Sequence, residues 1–358
     1  MLRGLMPCLR IALPSNDRPR LVAETAERLR RGELVVLPTE TVYGLAVLPS
    51  HREAVARARA LKGRDGNQPF TWHLAQKADA EPLVGRLPPR IRRLLDRYWP
   101  GPLTVILPTP DGGSAGLRLP AHPFTRDVIA ACGEPLWMTS CNFTGEPPLL
   151  DAAAIAEQWK DGVTAVLDDG PSPIGMASTI VRATGPALEV LREGILSRDE
   201  VLRTAAECIL FVCSGNTCRS PMAEGIARDL AGRKLGVPAD QVLAHGLYFQ
   251  SAGTSTMAGM PASEGSLAAA MELGIDLTNH QSQALDESLV QRADRIYCMG
   301  QNHRRAILAE VPQASERTKL LRPDGRDIGD PYGGDLKVYR RARDEIRAAI
   351  GAHLPQWL

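Results

Sequence analysis

The sequence predicts an α/β protein of two domains, residues 1–200 and 201–358. A mixed-sheet α/β domain precedes a doubly wound parallel sheet. Three observations carry this. The chain has 358 residues, long for one hydrophobic core. Strand-like and helix-like segments mix without strict alternation across residues 15–195. From Cys208 the order restarts as strand, loop, helix, strand, the pattern of a parallel sheet with helices on both faces.

The opening "MLRGLMPCLRIALPSNDRPR" has only a short, Pro-broken apolar stretch and is an ordinary lead-in. "LVAETAERLRR" has helical spacing, and "GELVVLPTETVYGLAV" is a buried strand entering a polar turn. "SHREAVARARALKGR" is a helix running from a Ser50 cap to Gly63. "RIRRLLDRYWPGPLTVILP" gives a basic helix, a Pro-Gly-Pro stop and a strand; "DVIAACGEPLWMTSCN" gives a helix and a strand. "AVLDDGPSPIGMASTIVRA" and "ALEVLREG" are strands around a Gly/Pro loop, and "SRDEVLRTAAE" is a short helix capped by Ser197. In the second half, "CILFVC", "VLAHGLYFQSAGT" and "ADRIYCMG" are strands, and "VYRRARDEIRAAIGAHL" closes the chain as a helix.

Composition narrows the function. Hydrophobic residues are 44% and charged residues 23%, as in a soluble globular protein. No apolar run approaches the roughly 20 residues of a membrane span. The seven cysteines include no CxxC pair, which argues against a zinc ribbon and for a reducing cytoplasm. A formal net charge of +1 leaves no strong direct nucleic-acid footprint.

The densest chemistry lies in "FVCSGNTCRSPMAE", residues 211–224. An apolar strand ends at Cys213, a turn follows, and Arg219 and Ser220 open a helix with Pro221 in its first turn. Loop amides beside a helix N-terminus form an anion nest. Arg219 can clamp phosphate oxygens, and the same field favours the thiolate of Cys213. A thiolate in a phosphate cradle is a nucleophile for phosphoryl transfer. The leaving group then needs an acid, and "DIGDPYGGDLKVY" offers Asp330.

"VCSGNTCRSPMAE", "SAGT" and "DPYGG" together resemble the low-molecular-weight protein tyrosine phosphatase family across residues 208–358. The resemblance implies Cys213 as nucleophile, Arg219 as phosphate clamp and Asp330 as general acid, with no cofactor. It implies that Asn216 and Ser220 hold the loop and that Cys218 can trap an oxidised nucleophile as a disulfide. Thr217 stands where eukaryotic tyrosine phosphatases carry a bulkier aliphatic residue and bacterial protein arginine phosphatases carry Thr. A phosphoprotein substrate is expected, with phosphoarginine ahead of phosphotyrosine. Arsenate reductases use the same loop but need further cysteines; only Cys298 follows Cys218.

In the first half the candidates are scattered. They are Thr39 in a hydroxyl-rich turn, Lys62 and Arg64 after a helix, His73, Arg118 in a strand, Ser140 and Asn142 at a strand end, Ser178 and Arg192. Singly, each is more often structural. In order, "PTETVYGL", "KGR", "WPGPLT", "LRLPAHP", "SCN" and "ASTIV…LREG" resemble the YrdC-like threonylcarbamoyl-adenylate synthase family, over about residues 15–197. The resemblance implies a YrdC-like twisted mixed-sheet fold. It also implies condensation of L-threonine, bicarbonate and ATP to threonylcarbamoyl-AMP and pyrophosphate. A downstream transferase would then use the product to modify an adenosine of tRNA. It places ATP on Lys62, Arg64, Ser140, Asn142 and Arg192, and L-threonine on Thr39, His73, Arg118 and Ser178. Mg2+ is expected with the triphosphate, with no dedicated protein ligands. Gln68 and Pro148 depart from the family pattern near the nucleotide. They leave one alternative: a nucleotide- or RNA-binding module without synthase activity, fused to a tyrosine phosphatase.

Overall fold

The computed structural model describes residues 8–13, 16–63, 69–143 and 146–358. It divides into two compact units, Met1–Ala205 and Ala206–Leu358. In chain order the first contains β1 (Leu9–Ala12), α1 (Arg18–Arg30), β2 (Val35–Leu37), β3 (Gly44–Val47), α2 (Arg52–Leu61), β4 (Thr71–His73), α3 (Glu81–Val84), α4 (Pro89–Tyr98) and β5 (Leu103–Pro108). It continues with β6 (Ser114–Arg118), α5 (Pro123–Cys132), β7 (Leu136–Ser140), α6 (Ala152–Gln158), β8 (Ala165–Asp168), β9 (Thr179–Arg182), β10 (Glu189–Arg192) and α7 (Arg198–Ala205).

The strands form one ten-stranded sheet in the order β1-β8-β2-β3-β7-β4-β6-β5-β9-β10. Both pairing senses occur: β2–β3 and β3–β7 are antiparallel, β4–β6 and β5–β9 parallel. Leu21, Thr25, Ala26 and Leu29 line the buried stripe of α1, at helical spacing. Helix α2 begins one residue later than the sequence suggests. Its cap is His51, whose Nδ1 accepts from the Ala54 N–H at 3.4 Å. Ser50 is drawn away because its hydroxyl bonds the Glu134 carboxylate. Ser197 does cap α7, accepting from the Glu200 N–H at 3.2 Å. Tyr98 of α4 meets Thr204 and Glu200 of α7 through its hydroxyl, at 2.9 and 3.0 Å, and so holds α7 on the first unit.

The second unit contains β11 (Glu207–Cys213), α8 (Arg219–Leu235), β12 (Leu247–Gly253), α9 (Glu264–Met271), α10 (Glu287–Arg292), β13 (Arg295–Cys298), α11 (Gln301–Glu310), β14 (Thr318–Leu320) and α12 (Leu336–His353). Its sheet is parallel throughout, in the order β12-β11-β13-β14. Strand β11 is an apolar run because both its faces are covered. Ile209, Phe211 and Cys213 pack into a core with residues of α8, α9 and α12; Cys208, Leu210 and Val212 pack into a second core with residues of α10 and α11. The sheet is therefore doubly wound. The strand order reverses on either side of β11, and Cys213 sits at its carboxyl end, where open α/β sheets place their ligand crevice.

Candidate active sites

In the first unit, strand ends converge on a cavity of about 410 Å³. Its lining includes Thr39 after β2, His73 closing β4, Arg118 closing β6, Ser140 closing β7, Ser178 before β9 and Arg192 closing β10. Residues far apart in sequence thus share one wall. Lys62 caps α2 and is buried, and its ammonium donates to the carbonyls of Ser140, at 2.7 Å, and Asn142. The amide nitrogen of Asn142 donates to the carbonyls of Phe143 and Glu146, at 2.9 and 2.7 Å. Its oxygen is buried and accepts nothing among the described residues. Arg64 and Gln68 lie outside the described residues, and Pro148 is half-buried.

Hydrogen bonding limits what each group offers. The Thr39 hydroxyl donates to the Val42 carbonyl at 2.6 Å and accepts from the N–H groups of Thr41 and Val42, so it holds the turn before it holds any ligand. Nδ1 of His73 lies 3.1 Å from the Thr71 carbonyl, which can only accept. Burial first, and Arg118 second, push the His73 pKa down to about 3. The ring is neutral, its proton is on Nδ1, and Nε2 is left as an acceptor. Arg192 donates to the Ser178 carbonyl through Nε, at 3.1 Å, and Nη2, at 2.8 Å; burial and Arg118 disfavour its charge. The Ser178 hydroxyl bonds Thr104 Oγ1 at 2.9 Å.

Glu40 has a place that sequence reading did not give it. Its carboxylate accepts from Arg118 Nη2 at 2.7 Å and from the Ala121 N–H at 2.9 Å. Thr41 accepts from the same Arg118 nitrogen at 2.6 Å. Arg118 therefore reaches the cavity already paired to a half-buried carboxylate. The only sequence signal for this was an acid in a hydroxyl-rich turn. The whole arrangement suits a ligand bearing several negative groups: cationic side chains, hydroxyls and one neutral imidazole acceptor around a single cavity.

In the second unit, the loop between β11 and α8 is fixed from several sides. The Asn216 N–H donates to Cys213 Sγ at 3.2 Å, and Ser220 Oγ lies 2.9 Å from the same sulfur. Asn216 has φ = 50°, the left-handed conformation that Asn tolerates better than most residues. Its side chain donates to Ser220 Oγ at 2.9 Å and accepts from the Gln283 N–H at 2.8 Å. Nε2 of His280 lies 2.7 Å from the Asn216 carbonyl and donates to it. Arg219 is buried; its Nη2 donates to Asp330 Oδ2 at 2.5 Å and its Nη1 to the Ile328 carbonyl at 3.2 Å. Asp330 is half-exposed, at the rim of the crevice. Thr217 is partly exposed, and Cys218 is buried among the hydroxyls of Ser263, at 3.3 Å, and Tyr339, at 3.6 Å. His280 and Gln283 carried no signal in the sequence, since both act from the distant segment between α9 and α10.

Both units have relatives among known proteins. Residues 27–194 match the Sua5/YciO/YrdC family model, described as Telomere recombination. Residues 208–357 match the model for Low molecular weight phosphotyrosine protein phosphatase. The chain is 35% identical over 199 residues to a threonylcarbamoyl-AMP synthase of Bacillus subtilis, covering 53% of this chain and 57% of that one. It is 34% identical over 200 residues to a putative threonylcarbamoyl-AMP synthase of Mycobacterium tuberculosis, covering 52% of this chain and 89% of that one. It is also 36% identical over 147 residues to a protein-arginine-phosphatase of Geobacillus stearothermophilus, covering 40% and 90%. The chain thus spans little more than half the length of the Bacillus synthase. A solved structure of Pyrococcus abyssi Sua5 shares the fold, with a TM-score of 0.52 and 23% identity over 68% of this chain and 91% of that one. The chain belongs to the Sua5/YrdC family through residues 27–194 and to the low-molecular-weight phosphotyrosine protein phosphatase family through residues 208–357.

Proposed function

We propose that the chain is a bifunctional enzyme of the cytoplasm: a threonylcarbamoyl-AMP synthase joined to a cysteine-dependent protein phosphatase with a preference for phosphoarginine. The observation that carries the reading is that each unit gathers its own cluster of candidate side chains. One is the cavity that collects Thr39, His73, Arg118, Ser140, Ser178 and Arg192; the other is the Cys213 loop closed by Arg219 and Asp330.

In the first unit, ATP, L-threonine and bicarbonate give threonylcarbamoyl-AMP and pyrophosphate. Arg192, with Lys62 and Arg64 of the "KGR" motif, would offset charge on the triphosphate and the departing pyrophosphate. Lys62 also holds the carbonyls of the β7 end in place. His73, neutral with Nε2 as acceptor, can take a hydrogen bond from the threonine ammonium or hydroxyl. Arg118 would meet the threonine carboxylate while still held by Glu40. Among the described residues no group of three or more His, Cys, Asp or Glu side chains could hold a metal ion. Mg2+ would come with ATP and supply charge neutralisation at the triphosphate. The product would pass to a transferase that acylates an adenosine of tRNA.

In the second unit, Cys213 Sγ attacks phosphorus as the bond to the leaving group breaks. Arg219 and the loop amides hold the phosphoryl oxygens, and Asp330 gives the leaving group its proton. Water, deprotonated by Asp330, then cleaves the cysteinyl phosphate and releases inorganic phosphate. Nε of Arg219 is buried with no hydrogen-bond partner among the described residues, so it can donate to a phosphoryl oxygen while Nη2 stays on Asp330. Two facts support phosphoarginine: the similarity to a protein-arginine-phosphatase, and Thr217 on the loop. A hydroxyl there can accept a guanidinium N–H, which an aliphatic side chain cannot.

The test is a pair of assays on the full chain. Pyrophosphate release should require both threonine and bicarbonate. Phosphoarginine peptide should turn over faster than phosphotyrosine peptide. Nucleotide binding with no threonine-dependent pyrophosphate release would support a nucleotide-binding module in place of a synthase. Faster phosphotyrosine turnover would make the second unit a tyrosine phosphatase.

A further inference from the structure

Ser214 follows the nucleophile directly, and its side chain does not point idly outward. Its Oγ lies 2.9 Å from Nε2 of His303, in the first turn of α11. On the other side, the Ser214 carbonyl accepts from the Ser255 N–H at 3.0 Å. Ser214 is thus gripped at both its side chain and its backbone.

His303 is only 1% exposed. Its other ring nitrogen, Nδ1, is buried and has no hydrogen-bond partner among the described residues. A buried polar atom left unpaired is destabilising, and an apolar side chain of similar size would avoid the cost. Packing alone therefore does not account for a histidine here. The charged groups bearing on it are Arg219, Asp327 and Asp330, all of the phosphate site or its acid loop. Burial, then Arg219, pushes its pKa down to about 4, so the ring is neutral at neutral pH and adds no charge beside the clamp.

The start of α11 is also tied to the acid loop. The Gln301 N–H donates to Asp327 Oδ1 at 3.0 Å, and the Ile328 N–H donates to the Met299 carbonyl at 2.8 Å. The Ile328 carbonyl in turn accepts from Arg219. One short helix start therefore connects the nucleophile loop to the segment that carries the general acid.

We infer that His303 is a positioning residue of the phosphate loop: through Ser214 it fixes the first peptide after the nucleophile and couples that loop to the acid loop. This rests on the phosphatase reading of the second unit. His303 and Ser214 act on the orientation of the loop that binds oxyanion, whatever the leaving group is.

The experiment uses the full chain, p-nitrophenyl phosphate as substrate and orthovanadate as oxyanion probe. His303→Leu and Ser214→Ala should each lower kcat by about tenfold and weaken vanadate inhibition by a similar factor. The double variant should be little worse than either single one, because the two residues form one contact. His303→Gln, which keeps a neutral donor able to reach Ser214, should recover most of the loss. Additive losses, or normal vanadate inhibition in Ser214→Ala, would overturn the inference. Should His303→Leu fail to fold, Ser214→Ala and His303→Gln decide the matter alone. Absence of Cys213-dependent hydrolysis in the unmodified protein would instead sink the phosphatase reading. Vanadate binding, followed by calorimetry, would still report on the loop.

Discussion

Side-chain placement separates what each residue contributes. Asp330 reaches the crevice rim and already touches Arg219, so Asp330→Asn should slow ordinary phosphate esters by about a hundredfold. An aryl phosphate with a very good leaving group should lose far less, and rates on the two substrates compared side by side will tell. Equal losses would make Asp330 a loop anchor only. Thr217→Ile should lower phosphoarginine turnover by about ten- to a hundredfold and spare phosphotyrosine, the scale of one unpaired donor in a closed pocket. An unmoved substrate ratio would count against a role for that hydroxyl. His73 carries a pH prediction. Its pKa falls from 6.5 to about 3 on folding, so the unfolded chain binds its proton first. Stability that this neutral imidazole contributes above pH 6.5 is lost as pH drops towards 3. Melting of the first unit, followed between those pH values, should fall less steeply in His73→Gln. At this scale the sequence was legible where chemistry is contiguous: Cys213, Asn216, Arg219 and Ser220 lie within one short stretch. Glu40, His280, Gln283 and His303 were not, because each gains its meaning from a partner on a distant segment.

Elements explain why some short motifs must be what they are. Gly253 ends β12 beneath the phosphate loop, where a Cβ would stand 2.5 Å from the Ser214 carbonyl and 3.0 Å from the Asn216 nitrogen. Backbone cannot yield there without moving the loop. Gly253→Ala should therefore lower phosphatase turnover by at least about tenfold while threonine-dependent pyrophosphate release is unchanged. Normal hydrolysis by that variant would show the loop to be more yielding than its contacts imply. In the first unit, Ser197→Ala should cost about 1 kcal/mol, the usual loss for a helix cap, measurable by urea unfolding. Helices and strands were readable because their apolar periodicity is local. The cap of α2 was not, since the choice between Ser50 and His51 depends on Glu134, in the distant turn between α5 and β7. Nor could periodicity order the ten strands, as neighbours in that sheet come from all parts of the unit.

At the scale of the molecule, the change from mixed to alternating element order announced two folds, and the contacts divide at Ala205 and Ala206. Lys62→Ala should depress threonine-dependent pyrophosphate release and leave phosphatase activity unchanged; Cys213→Ser should do the reverse. Parallel loss of both activities in either variant would refute two independent sites. The second unit also has a temporal side. Its nucleophile lies on its first strand, yet every group that steadies the loop from outside arrives later in the chain: Ser255, Ser263, His280, Gln283, His303, Ile328 and Asp330. Trp357, after the last helix, still packs against Phe211 on the nucleophile's strand. A chain emerging from the ribosome would thus carry its reactive thiol long before it carries the means to use it. Hydrolytic power would switch on only once the segment carrying Ile328 and Asp330 has joined the fold, so that shorter nascent chains do not turn over substrate.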